Sequence, residues 1–150
     1  MTITLSMSGS NGFKGSLYDL FDGAVLQGAP ASTSTHAVYK TPGGELIVAG
    51  TNLVYGNGPN GPAISNGLVQ GFTFKSLANV DLGSLSGLSL NAAQFNTAIK
   101  AHNLNNDTML DAIFSGQDFI FNGGSGVDIF DGFNGNDTLN GGGGADTLNG

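Results

Sequence analysis

The residues best placed to do chemistry are three aspartates at intervals of nine. Asp128, Asp137 and Asp146 each follow a glycine (Gly126, Gly135, Gly144) by two positions, and each precedes a large apolar residue (Phe130, Leu139, Leu148) by two. Gly124 and Gly142 belong to the same glycine-rich turns, and a worn copy, Gly116-Gln117-Asp118-Phe119-Ile120, stands one residue out of phase upstream. Such a set offers oxygen: carboxylates, plus backbone carbonyls that glycine leaves unshielded. The chain has no Cys, which excludes thiolate metal sites and disulfides. An oxygen-only donor set favours a hard cation such as Ca2+ over Zn2+ or Cu2+.

A flexible Gly/Asn linker with incidental acids explains the glycine content. It does not explain why Gly, Asp and an apolar residue keep one register. Other glycine-rich devices fail as well. No Lys follows a Gly-x-x-x-x-Gly, and no Glu closes a calcium loop of the EF-hand kind. Ser125, Asn134 and Gly143 make no row of Thr for binding ice.

The copies starting at Gly123, Gly132 and Gly141 resemble the GGxGxDxUx nonapeptide of RTX proteins, which forms a calcium-binding parallel β-roll. The resemblance implies a turn of about six residues and a strand of about three per repeat, with two repeats in each coil. Turns on one side are then two repeats apart, so Asp128 is expected to face Asp146. Asp118 is expected to face Asp137 only roughly. Two carboxylates ~5 Å apart repel by about 3 kcal/mol at an effective dielectric of ~20. No Lys or Arg follows Lys100 to relieve that. The expected calcium site thus draws on Asp118, Asp128, Asp137 and Asp146 and on the turns of Gly124, Gly126, Gly135, Gly142 and Gly144. The resemblance also implies export in the unfolded state by type I secretion machinery. The place implied is extracellular, free or on a cell surface. Three copies are few for a solenoid, and Gly150 is the first residue of what would be a fourth, so a truncated roll is expected.

Charge divides the chain in the same place. Through Asn106, four acids balance four Lys; from Asp107 onward there are seven Asp and no base, so the net −7 lies wholly in the second part. We read residues 1–114 as one domain and 115–150 as the repeats. The balance excludes nucleic acid and anionic membrane surfaces as partners. No apolar run approaches the ~20 residues that cross a bilayer, and the start, MTITLSMSGSNG, lacks the parts of a cleaved secretory signal.

The elements that carry these residues read as an α+β domain, an antiparallel sheet with two or three short helices, followed by a short parallel β-roll. Ile3, Leu5 and Met7 alternate as on a strand. Ser16-x-x-Asp19 is a capping box before Leu17, Leu20, Phe21 and Ala24 at helical spacing, with Gly23 and Gly28 as stops. Strands are expected at Ala37–Lys40, Glu45–Ala49, Asn52–Tyr55 and Gly67–Lys75, with a hairpin turn at Pro42-Gly43-Gly44 and further punctuation at Gly50-Thr51 and Gly56–Pro62. Asn91 caps a second helix with Phe95, Ala98 and Ile99 inward. Asn106-Asp107 opens a third, with Met109, Leu110, Ile113 and Phe114 on one face.

This order, and Val48-Ala49-Gly50-Thr51-Asn52-Leu53-Val54-Tyr55 in particular, resembles the HasA-type haemophore family over roughly residues 1 to 114. Its members are also type I secretion substrates. The resemblance implies a haem site with Tyr55 as an axial phenolate ligand and His36 as the candidate second ligand. Pro62-Ala63-Ile64 holds no supporting His where the family has one. One Glu and two His residues make no catalytic constellation, so an enzyme is not expected. The leading expectation is a secreted calcium-binding protein. The alternatives are a haem carrier, the N-terminal fragment of a larger RTX enzyme, or a surface adhesin with an extracellular receptor.

Overall fold

The structure, a computed structural model, describes residues 1–10, 12–28, 31–58 and 61–150. Part of the expected punctuation at Gly56–Pro62, Pro59-Asn60, lies outside the described residues. Strand β1 (Thr2–Met7) is followed by a 3₁₀ helix (Leu17–Phe21), then β2 (Val25–Leu26), β3 (His36–Thr41), β4 (Gly44–Gly58), β5 (Gly61–Ser76) and β6 (Asp81–Asn91). Helices α1 (Ala92–His102) and α2 (Thr108–Phe114) come next. The repeats supply β7 (Asp118–Asn122), β8 (Ile129–Asp131), β9 (Thr138–Asn140) and β10 (Thr147–Asn149).

These strands correct the expected fold class. Strand takes 48 % of the chain and helix 16 %, so the molecule is mostly β rather than α+β. Nor is the main sheet antiparallel with a separate roll behind it. One eight-stranded mixed sheet runs β2-β3-β4-β5-β6-β1-β7-β9, crossing residue 114, and β8 with β10 forms a small second sheet. The physical cause is β1. One edge pairs antiparallel with β6 (Leu5 opposite Leu85), and the other pairs parallel with β7 (Leu5 opposite Phe121).

Residues 13–14 repeat the arrangement on the far side of the roll, where Lys14 makes a parallel bridge to Ile129. The N-terminal strand and the turn after it are therefore the first layer of the roll.

The helical layer covers one face of the sheet. The expected first helix shrinks to a 3₁₀ turn, whose capping box is formed: Asp19 Oδ2 accepts from Ser16 N at 2.8 Å. Helix α1 buries Ala92, Phe95, Ala98 and Ile99, and Asn91 caps it by accepting from Gln94 N at 3.0 Å. Phe72 of β5 stacks on Phe95 at 5.0 Å, and Phe21 stacks on Phe114 at 6.1 Å. Inside the roll, Phe121 and Phe130 stack at 4.5 Å from opposite sheets. Leu139 lies in register with Phe121, and Leu148 with Phe130. Phe119–Phe133, Phe133–Tyr18 and Tyr18–Phe114 contacts join the two cores into one.

Candidate metal centre

The roll's turns stack on two sides. Residues 123–128 lie between residues 8–10 and 12–13 and residues 141–146 on one side; residues 132–137 lie on 115–119 on the other. The stacking is close because the third residue of each turn donates to the turn before it. Gly143 N reaches Gly124 O at 2.9 Å, Ser125 N reaches Gly9 O at 3.2 Å, and Asn134 N reaches Ser115 O at 3.1 Å. A Cβ on Gly142 would overlap Gly124 O, and one on Gly144 would overlap Gly126 O. On Gly124 it would lie 2.6 Å from Gly9 O; on Gly126 and Gly135 it would overlap Ser10 O and Gln117 O. Glycine recurs in these turns because backbone meets backbone there.

The aspartates occupy one repeating place. Each carboxylate curls back over the first glycine of its own turn: a Cβ on Gly123 would lie 2.6 Å from Asp128 Oδ2, and one on Gly132 2.6 Å from Asp137 Oδ2. Each also accepts a backbone N–H from the turn one coil before. Asp146 Oδ1 accepts from Asp128 N at 2.9 Å, Asp137 Oδ1 from Phe119 N at 2.7 Å, and Asp128 Oδ1 from Phe13 N. Asp128 and Asp146 thus stand in successive turns of one side. Asp128 is fully buried, with Gly124 N donating to its Oδ2 at 3.1 Å.

The other side differs from the expectation. Asp137 is faced by Phe119, not Asp118, because the worn copy carries its acid one residue early. Asp118 Oδ1 instead accepts from Asn136 N at 3.0 Å. Phe13 holds the same place on the first side. Each stack therefore opens with a buried Phe, and Asp128–Asp146 is the one pair of repeat aspartates in successive turns.

Does this set fit a cation? Among the described residues no three His, Cys, Asp or Glu side chains converge on a point. Any ion here takes at most two carboxylates and draws the rest of its six to eight oxygens from carbonyls and water. Capacity for that exists. A carboxylate carries about four lone-pair positions, and the backbone donors named here fill one on Asp146 and two on Asp128. Asp137 Oδ2 is buried with no hydrogen-bond partner among the described residues. An orphaned buried carboxylate oxygen costs free energy until a proton, water or cation meets it. The donor set and the glycine cradle fit calcium.

The ninth repeat position was not singled out by sequence reasoning. Asp131 Oδ1 accepts from Phe133 N at 2.7 Å, Asn140 Oδ1 accepts from Gly142 N at 3.1 Å, and Asn149 Nδ2 donates to Asp131 Oδ2 at 3.0 Å. Asn122, Asp131, Asn140 and Asn149 recur every nine residues, which is the signal that could have found them.

The haem candidates lie together but do not fit iron ligation. The Tyr55 hydroxyl donates to Thr33 O at 2.8 Å and to His36 O at 2.9 Å. Burial raises its pKa, which disfavours the phenolate. Both His36 ring nitrogens are engaged, Nδ1 with Thr33 Oγ1 at 2.9 Å and Nε2 with Ala31 O at 3.1 Å. The pair ties the loop before β3 to β4. No helix among the described residues is long and apolar enough to cross a membrane. The chain matches no protein-family model, no curated protein and no solved structure.

Proposed function

We propose that this chain is a secreted calcium-binding protein whose Asp/Gly turns take up Ca2+ after export and complete the folding of the roll. The observation that carries the reading is the turn stack: carboxylates one coil apart, over glycines that admit them, in a segment without any Lys or Arg. Low calcium leaves those charges uncompensated and the coils weakly held, a state suited to passage through a type I export channel. Calcium outside the cell neutralises them. Sites of the weak extracellular kind have Kd of roughly 10⁻⁴–10⁻³ M, and calcium at ten times Kd stabilises by about 1.4 kcal/mol per site.

Titration of the full chain with CaCl2 tests this by calorimetry and circular dichroism, with MgCl2 as the control. The expected result is saturable binding heat at millimolar calcium, a gain in β signal and a higher Tm, with magnesium much weaker. Absence of heat and of any calcium-specific rise in Tm would overturn the reading.

A further inference from the structure

Away from the roll, a cleft of about 240 Å3 opens between the sheet edge and the C-terminal half of α1. Its walls are apolar: Val25 and Leu26 of β2 on one side, Ile99 of α1 and Leu104 on the other. Val25 is 59 % exposed and Leu104 80 %, so the apolar surface continues past the mouth. Exposed apolar surface at the rim of a concave site marks a place where something binds.

The charge lining the cleft is of one sign. Asn96 lines it at 3 % exposure, and its Oδ1 accepts from the buried Tyr39 hydroxyl at 2.9 Å. That leaves the Asn96 Nδ2 donor with no partner among the described residues. Lys100 also lines the cleft. Its Nζ reaches Pro62 O at 3.3 Å and makes no ion pair among the described residues. Ala24 O is taken by Asn103 Nδ2 at 3.0 Å, so the neutral Asn103 Oδ1 is the acceptor left, and no Asp or Glu lines the cleft among the described residues. A lone cation beside a neutral amide donor, above apolar walls, favours an anion with an apolar body.

We propose that this cleft binds a small amphipathic carboxylate, its chain between β2 and α1 and its headgroup at Lys100 and Asn96. The volume holds roughly eight water-sized groups at ~30 Å3 each, which suits an unbranched acid of six to eight carbons. Ligands of that size bind weakly, with Kd of roughly 10⁻⁴–10⁻³ M.

Amide NMR of the full chain titrated with octanoate tests the proposal, with octan-1-ol and octyltrimethylammonium as controls. The expected result is a saturable one-to-one shift confined to residues 24–26, 39 and 96–104. Lys100→Gln should weaken octanoate about fivefold and leave octanol unchanged. Leu104→Ser, at an exposed position that should leave folding intact, should weaken both. Shifts that do not saturate, or that scatter over the surface, overturn the site. Equal binding of octyltrimethylammonium, or no response to Lys100→Gln, overturns the carboxylate.

Discussion

The repeat aspartates are chemically alike and structurally unequal. Asp128 is fully buried and satisfies the backbone N–H groups of Phe13 and Gly124, so it belongs to the framework even without metal. Asp128→Ala leaves both donors unpaired and should cost about 2–4 kcal/mol of stability without calcium, measured by urea unfolding. Asp137 is the opposite case. Its Oδ1 holds Phe119 N, which an Asn oxygen can also do, while Oδ2 has no partner among the described residues. Asp137→Asn should leave metal-free stability unchanged or slightly higher and reduce the calcium-induced rise in Tm. A loss of metal-free stability as large as that of Asp128→Ala would mean that Asp137 too is only a framework residue.

At the scale of elements, what was legible depended on contrast. The repeats could be read because Gly, Asp and an apolar residue coincide every nine positions. The capping box of the 3₁₀ helix, the Asn91 cap of α1 and the apolar spacing of α1 and α2 also stood out. Strand β6 did not: in Asp81–Asn91 only Gly83, Leu85 and Leu88 are buried, and its glycines and serines mask the alternation. Strand β4 read as two pieces because register shifts at Gly50 and Asn52, where φ is 52°, interrupt it. The pairing of β1 with β7 links residues far apart in sequence through backbone bonds, so no local pattern announces it. Phe119 in place of an acid was visible as a phase slip, but its consequence needed the stacked turns. Buried Leu5 holds β1 between β6 and β7, and Leu5→Ala should cost about 2–5 kcal/mol and abolish the calcium response with it.

His102, at the end of α1, joins three elements. Its Nε2 meets Asp22 at 2.8 Å after the 3₁₀ helix, and its Nδ1 meets Asp107 at 2.5 Å before α2. The Tyr18 ring packs edge-on against it, with the Tyr18 hydroxyl on Asp111 at 2.7 Å. Burial works to lower the imidazole pKa, but the two carboxylates outweigh it and the net shift is upward. Both ring nitrogens can donate only in the imidazolium form. The link is therefore complete below the ordinary pKa of 6.5 and is lost as pH rises through the higher folded value. Tm of the wild-type chain should fall over that interval. His102→Gln should flatten the fall and lower stability by ~1–2 kcal/mol at pH 5. An unchanged pH profile in the variant would contradict the assignment.

One eight-stranded sheet and one connected aromatic core run through both parts of the molecule, so the roll and the N-terminal part should not melt separately. Far-ultraviolet circular dichroism and tyrosine fluorescence should report coincident transitions, both shifted upward by calcium. Two resolved transitions, with calcium moving only one, would mean that β1 does not couple the halves.

If turns one coil apart share a cation through Asp128 and Asp146, the ion should be visible between them. Anomalous diffraction from crystals grown in millimolar CaCl2 tests it most directly. The expected result is a peak between residues 123–128 and 141–146, about 2.3–2.6 Å from oxygens of both carboxylates. Well-ordered turns without a peak there, or calcium only on outward-facing acids, would contradict it.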